Sequence, residues 1–114
     1  MPYLIRGYFR QDVAQARLQL RPGHIRHILS RLQEIVCAGA LCGEDQRPQG
    51  LFLAVGCTDR EQAQLLIADD PYYRAGLFER IEIEPFLQFV PHPNPRILHE
   101  ELERALQSAT MAAR

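Results

Sequence analysis

His24 is the side chain in this sequence that best suits proton transfer near neutral pH, because an imidazole titrates close to neutrality. It ends the run Arg-Pro-Gly-His at residues 21–24. Proline is favoured at the first helical position, so this run predicts a helix that begins at Pro22 and carries His24 in its first turn. A single histidine at such a place also commonly caps or packs a helix, and the run alone leaves both roles open.

Metal-dependent and amine-based chemistry find less support in the sequence. His27 lies three residues after His24, a spacing that could begin a metal site, but no third ligand is placed by the spacing. We therefore predict no metal. All 13 cationic residues are arginines, so no lysine side chain can form a Schiff base or act as an amine base. No cofactor is indicated.

The net charge limits the classes of binding partner, and the cysteine content indicates the cellular compartment. A formal net charge of -1 gives no basic surface for nucleic acid or for an anionic membrane. No segment approaches the ~20 apolar residues that cross a bilayer, and we expect no signal peptide. Cys37, Cys42 and Cys57 are odd in number and lack the CxxC spacing, so we expect reduced thiols in a cytoplasmic protein.

The helix that carries His24 is expected to run from Pro22 to about Val36. A short helical turn capped by Asp12 would lead into it. Apolar residues at helical spacing predict one buried stripe along this helix, made of Ile25, Ile28, Leu29, Leu32, Ile35 and Val36.

Four stretches predict strands around this helix. Residues 3–9 are apolar and aromatic, residues 51–56 are apolar throughout, and residues 79–84 alternate. Residues 37–42 are small and apolar, and they fit either a tightly packed strand or a plain turn. The polar stretch between residues 43 and 50 is expected to be a hairpin loop, and residues 86–90 a further extended piece.

Three capping signals predict the remaining helical segments. The capping-box pattern at residues 58–61 places a second helix from Asp59, with Ala63, Leu66 and Ile67 facing the sheet. Asp70 precedes Pro71 and can cap a single turn that Gly76 closes. After a proline-rich linker, Asn94 as the cap and Pro95 at the first position predict a last amphipathic helix.

The order strand, helix, strand, strand, helix, strand predicts an α+β, ferredoxin-like βαββαβ fold with an extra C-terminal helix. We divide the chain into a domain at residues 1–90 and a linker with its helix at residues 91–114. Two helices cover only one face of such a sheet, yet the third strand is apolar on both faces. We therefore expect a homodimer in which a two-fold partner buries the open face.

Several short motifs together resemble the YCII-related (YciI-like) family over roughly residues 1–90. They are Arg-Pro-Gly-His at 21–24, Cys-Ala-Gly at 37–39, Ala-Asp-Asp-Pro-Tyr at 68–72, and Ala-Gly-Leu-Phe at 75–78 leading to Glu-Pro-Phe at 84–86. The resemblance implies a dimeric α/β barrel of ferredoxin-like halves. It also implies a histidine and an aspartate that face each other in a pocket, and these match His24 and Asp70.

A carboxylate beside an imidazole fixes its tautomer and stabilises its protonated form, so this pair suits proton abstraction next to a carbonyl. Asp70 is equally well explained as a helix cap alone. Arg21 is a candidate to bind a substrate carboxylate, or a solvated surface residue. Gly39 and Tyr72 are candidates for the rim and wall of a substrate pocket, although Tyr72 also fits the core.

These observations favour a small-molecule enzyme of lyase or isomerase type, similar to family members tied to dehalogenation, that acts on a small and possibly anionic ligand. Two alternatives remain open at this stage. The chain could be a non-catalytic small-molecule binding module, or a protein-interaction subunit that docks a partner through its C-terminal helix.

Overall fold

One four-stranded antiparallel sheet organises the chain, of which the computed structural model describes residues 2–57 and 59–113. The strands run in the order β2-β3-β1-β4. They are β1 (Tyr3–Phe9), β2 (Ile35–Cys42), β3 (Pro48–Val55) and β4 (Phe78–Pro85). The helices are α1 (Ala14–Ser30), α2 (Arg60–Ala68), α3 (Pro71–Arg74) and α4 (Ile97–Ala112). The chain therefore has the predicted ferredoxin-like βαββαβ fold, followed by one extra helix.

The core lies between the sheet and α2, and alternation in the strands determines which side chains enter it. Ile5, Leu53 and Val55 point to this face and are almost completely buried. They meet Ala63, Leu66 and Ile67, the three α2 residues that the helical period selects. The predicted cap of α2 is also correct, because the Asp59 side chain accepts a hydrogen bond from the backbone N–H of Gln62 at 2.9 Å. Thr58, the first residue of the predicted capping box, lies outside the described residues.

The open face of the sheet is divided into a charged half and an apolar half. On β1 and β4, Arg6 forms ion pairs with Glu82 at 3.4 Å and with Glu84 at 2.8 Å. On β2 and β3, the half-buried ring of Phe52 lies over Gly39, where an added Cβ atom would come within 2.9 Å of it. The side chains of the apolar half are those on this face whose contact with water is least favourable.

The helix that carries His24 differs from the prediction at both ends. It begins at Ala14 and ends at Ser30, so Pro22 lies inside it. Asp12 does not cap it, because Asp12 has φ 62° and the N-cap position is Val13 without a side-chain cap. Leu32–Glu34 form a separate 3₁₀ turn, and Ile35 already belongs to β2.

Tertiary contacts explain why α1 continues through Pro22, although proline inside a helix costs about 3 kcal/mol. The half of α1 after Pro22 is fixed to α3 by His24 and to α2 by His27, whose Nε2 lies 2.8 Å from the carbonyl oxygen of Leu66. The half before Pro22 packs Ala16 and Leu20 against the core. The prediction of one buried stripe is wrong at four residues, since Ile25, Leu29, Leu32 and Val36 are exposed.

The other differences are shifts of boundaries. The small apolar segment at 37–42 is a strand rather than a turn, and β3 begins at Pro48, so the hairpin loop is shorter than predicted. Residues 86–90 do not extend the sheet. The last helix begins at Ile97 with Arg96 as N-cap, two residues later than Pro95. Asn94 still contributes, since its side-chain oxygen accepts a hydrogen bond from the Arg96 N–H at 3.0 Å.

Helix α4 lies apart from the sheet and the other helices. Among the described elements, α4 does not pack closely against any other helix or strand. Leu98, Leu102 and Leu106 recur every four residues along it, and each is more than half exposed. The radius of gyration is 17.7 Å, against about 13 Å for a compact domain of roughly this size. None of the helices in the described part of the chain is both long enough and apolar enough to cross a membrane.

We propose that the βαββαβ core folds without α4. A variant that ends at Val90 should keep its far-UV circular dichroism strand signal and melt within about 3 °C of the full chain, because α4 buries little against the core. Thermal melts of the two proteins, recorded side by side, test this. An unfolded variant, or a much lower melting temperature, would show that the tail belongs to the core.

Candidate functional site

His24 and Asp70 are 46 residues apart in sequence and in contact in the fold. Nδ1 of His24 lies 2.7 Å from Oδ2 of Asp70. The Asp70 side chain is completely buried, whereas the His24 side chain is 17 % exposed. A buried carboxylate accepts hydrogen bonds, so it selects the tautomer with the proton on Nδ1. Nε2 of His24 has no hydrogen-bond partner among the described residues, and it is the nitrogen available to a ligand.

Asp70 also caps α3, so its two oxygen atoms do two different jobs. Oδ1 accepts a hydrogen bond from the backbone N–H of Tyr72 at 2.8 Å, while Oδ2 holds His24. Pro71 at the first helical position and the extended backbone of Asp70 are the local features that place this cap. The two explanations that the sequence left open for Asp70 are therefore geometrically compatible.

Gly23 allows α1 to approach α3 closely enough for this contact. A Cβ atom added at Gly23 would lie 3.3 Å from Cγ of Pro71, which is tighter than ordinary van der Waals contact. The ring of Tyr72 then stacks on the ring of His24, with centroids 4.3 Å apart and planes 13° apart. The rings of Phe9 and Tyr72 also meet edge to face, with centroids 5.5 Å apart. Packing therefore fixes the plane of the imidazole, and Asp70 fixes its rotation.

A cavity of about 360 Å³ opens between α1 and strands β2 and β3, and His24 and Tyr72 lie in its wall. The volume is at the lower end of the range for small-molecule sites. Most of the lining is apolar, including Ile28, Leu51 and Leu53. All five candidate site residues are close to this cavity. Arg21, His24, Gly39 and Tyr72 line it, and Asp70 lies behind His24.

Arg17 and Phe9 also line the cavity, and the sequence interpretation missed both. Arg17 lies four residues before Arg21 and seven before His24, so the three share one face of a continuous helix. This signal was present in the spacing. It was hidden because the predicted helix began at Pro22, which left Arg17 in a separate turn. Arg17 also places its guanidinium 5.9 Å from the centroid of the Phe9 ring.

His27 does not join His24 at the cavity, since it bonds to the Leu66 carbonyl group instead. Across residues 2–57 and 59–113, no three His, Cys, Asp or Glu side chains are grouped so that they could hold a metal ion. Cys37, Cys42 and Cys57 are free thiols. The chemistry available at the cavity wall is thus that of one oriented imidazole, two guanidinium groups and a phenol.

Burial raises the pKa of the Tyr72 hydroxyl, and the charge of Asp70 adds to this effect. Arg17 and Arg21 oppose it, since a nearby positive charge favours the phenolate. The net direction is upward, so Tyr72 stays a neutral hydrogen-bond donor at physiological pH.

Two comparisons with known proteins identify the family, and a third identifies the fold. Residues 1–87 match the profile of the YCII-related domain. The protein YciI of Escherichia coli O6:H1 and that of Shigella flexneri are each 31 % identical over 98 residues, which cover 75 % of this chain and 96 % of the relative. The 5-chloro-2-hydroxyhydroquinone dehydrochlorinase of Burkholderia phenoliruptrix, solved in complex with 2,5-dihydroxybenzoquinone, superposes with a TM-score of 0.72. It is 22 % identical, and the match covers 78 % of this chain and 96 % of that one.

Replacing Tyr72 with phenylalanine should reduce the loss of stability at alkaline pH. The Tyr72 hydroxyl ionises at about pH 10 in the unfolded chain and at a higher pH in the folded protein. Its contribution to the free energy of unfolding is therefore complete below about pH 10 and is lost as pH rises through the folded pKa. Urea unfolding between about pH 8 and pH 11 should show a smaller decline for Tyr72→Phe than for the wild type. Tyr73→Phe, an exposed neighbour, is the matched control. Parallel declines for the wild type and Tyr72→Phe would contradict the assignment.

Proposed function

The chain belongs to the YCII-related family, and on that premise we propose that it is a small-molecule enzyme of lyase or isomerase type, in which His24 transfers the proton and Asp70 orients it. The observation that carries the proposal is the buried Asp70 carboxylate, which holds Nδ1 of a cavity-wall histidine and leaves Nε2 for the ligand.

The reaction begins with removal of a proton from a carbon next to a carbonyl group. Nε2 of His24 takes that proton, and the C–H electron pair passes into an enolate. The imidazolium that forms is stabilised by the carboxylate of Asp70. The enolate then has two outcomes. His24 returns the proton to a different carbon, which is isomerisation, or the electron pair expels a leaving group such as chloride and forms a C=C bond, which is elimination.

The structural neighbour supports the choice of probe. A protein of the same fold binds 2,5-dihydroxybenzoquinone and is named for removal of chloride from 5-chloro-2-hydroxyhydroquinone. Both compounds are small, planar and acidic, and a cavity of about 360 Å³ is large enough for one such ring. We therefore propose as the substrate class a small cyclic carbonyl compound, or a phenol that tautomerises to one, with an acidic oxygen.

The test uses this probe and this substrate with the whole chain. Wild-type protein should bind 2,5-dihydroxybenzoquinone in a calorimetric titration. It should release chloride, or exchange protons next to the carbonyl group, in a panel of cyclic carbonyl compounds to which 5-chloro-2-hydroxyhydroquinone is added as a phenol that can tautomerise to a ketone. His24→Ala should abolish turnover, and His99→Ala, on the exposed face of α4, should leave it unchanged. Binding without turnover of any panel compound would favour a non-catalytic binding module. Absence of binding would refute the assignment of the cavity.

The protein-interaction alternative predicts a filled pocket, whereas the cavity between α1 and the sheet is open. The exposed leucines of α4 are compatible with either function, because the helix lies apart from the cavity walls.

Asp70→Asn should separate stability from catalysis. Asparagine caps a helix about as well as aspartate, so its oxygen keeps the Tyr72 N–H bond, while Asp70→Ala loses about 0.5–2 kcal/mol from the cap alone. The asparagine NH₂ group would then donate to Nδ1 of His24 and move the ring proton to Nε2, where it blocks proton abstraction. We expect near wild-type melting, a changed tautomer in ¹⁵N NMR spectra, and turnover lowered at least 100-fold. Full activity in Asp70→Asn would reduce Asp70 to a helix cap.

We also propose that two copies pair through the apolar half of the open sheet face. Phe52 lies there half-buried, in register with Gly39 of β2. The half-buried Leu4 of β1 borders this half, in register with Ala54 of β3. Burial of this face would complete the dimeric α/β barrel that the fold class describes. The exposed backbone edges of β2 and β4 would remain on the outside.

Sedimentation equilibrium at micromolar concentration should show a dimer. Leu4→Arg should shift the protein toward monomer by at least tenfold in dissociation constant, because the new charge would have to be buried at the interface. In the monomer the arginine can pair with Glu84, its neighbour across β4, so the fold should survive. Leu65→Arg, at an exposed position of α2, is the control. A folded wild-type monomer would overturn the proposal.

A further inference from the structure

We infer that Arg17 and Arg21 together form an anion-binding subsite in the cavity, and that this subsite selects ligands with a carboxylate or an equally acidic enol group beside the reacting ring. This subsite rests on the proposed function in one respect only, namely that the reacting atom of the ligand lies at His24. It adds Arg17, which family membership and sequence motifs do not assign, and it determines which end of the ligand carries the charge.

Helix geometry places the two guanidinium groups in series along one wall. Arg21 precedes His24 by three residues and Arg17 precedes it by seven, which correspond to about 4.5 Å and about 10 Å along the axis. Both residues line the cavity. Their charges also reach the same group, because both lower the pKa of the Tyr72 hydroxyl against the effect of its burial. The two arginines therefore lie beside Tyr72, whose ring stacks on His24, along one wall of the cavity.

Acidic side chains do not neutralise the two arginines on this wall of the cavity. Within residues 2–57 and 59–113, neither Arg17 nor Arg21 forms an ion pair, although Arg6, Arg31, Arg47, Arg74, Arg80 and Arg104 all do. The sequence of α1 contains no aspartate or glutamate. The described lining of the cavity contains none either. The carboxylate of Asp70 is buried behind His24 and already bonded.

An acidic ligand group supplies what this arrangement lacks. A guanidinium group binds a carboxylate through two parallel N–H···O bonds, and such charge-assisted bonds are stronger in a low-dielectric cavity than in water. The apolar lining around Ile28, Leu51 and Leu53 then accommodates the ring of the ligand. A compact ligand whose anionic group meets Arg21 would place a neighbouring ring carbon within reach of Nε2. Arg17 would bind a second acidic oxygen or the far oxygen of the first group.

The same charges also favour the reaction that we propose. Proton abstraction next to a carbonyl group moves negative charge onto the carbonyl oxygen, and positive groups placed beforehand stabilise that charge in the transition state. Because α1 holds the guanidinium groups and the imidazole on a single face, the groups that bind the anion keep a fixed position relative to the base that forms it. This arrangement predicts effects of Arg17 on ligand binding in the absence of turnover.

Benzoate and benzamide are the probes, since they match in size and shape and differ in charge. Ligand-detected NMR titration of the whole chain should show benzoate binding at least tenfold more tightly than benzamide. Arg17→Gln and Arg21→Gln should each weaken benzoate about tenfold or more, leave benzamide unchanged, and leave the melting temperature near wild type. Arg26→Gln removes the same charge from the same helix at an exposed position outside the cavity lining, so it should change neither affinity.

Equal affinity of the wild type for benzoate and benzamide, or no benzoate binding, would overturn the anion subsite. An equal loss in Arg26→Gln would also overturn it, because the effect would then come from net charge. Failure of the acid–base proposal looks different. In that case benzoate binding would depend on Arg17 as described, while Asp70→Asn would keep full turnover or no panel compound would react.

Discussion

The buried carboxylate of Asp70 is the constraint on which this site depends. A carboxylate removed from water is costly unless each oxygen atom finds a donor, and leaving one partner unpaired costs about 3–5 kcal/mol. Asp70 finds one donor in its own helix turn, the N–H of Tyr72, and the other in His24 from α1. Satisfying one buried group thus ties together two helices that are far apart in sequence. The orientation of the His24 imidazole follows from that requirement.

The cavity follows from where α1 is held. Its contacts with the core come from Ala16, Leu20 and Ile28, and it packs most closely against α3 rather than against the strands beneath it. α2 instead buries three side chains against β1 and β4. One helix therefore closes the core and the other leaves a space over β2 and β3. The free volume lies beside the only helix that carries two unpaired cations and an oriented imidazole on one face, within the residues that the structure describes.

Much of this arrangement could be predicted from sequence, and the failures arise where tertiary contacts override local preferences. Elements with strong local signals were predicted correctly, such as the alternating strand at 79–84, the cap at Asp59 and the Asp70–Pro71 turn. The start of α1 was predicted wrongly at Pro22, because the preference of proline for the first turn is a local effect. The contacts that keep α1 continuous through Pro22 come from α2 and α3. The omission of Arg17 follows from the same error. The four wrongly predicted core positions have other causes, since Leu32 and Val36 lie beyond the end of α1 at Ser30, and Ile25 and Leu29 line the open cavity.

The contact between His24 and Asp70 could not be derived from local pattern. It joins residues 46 positions apart, and local spacing carries no information about which helices meet. Only the resemblance to a family supplied the pairing. The close approach at Gly23 was equally invisible, since a glycine inside a helix ordinarily signals a loss of stability rather than a contact.

The double role of Asp70 has a consequence for how this site would be inherited. A descendant that no longer needed the reaction would still be selected to keep the aspartate, because losing it would remove the cap of α3 and strand a buried donor. His24 is held by the same requirement, because its loss would leave Oδ2 of Asp70 buried without a donor. Selection for stability alone would therefore preserve both members of the pair. The pair would outlast any reaction at this site, so its presence alone would not record catalytic use.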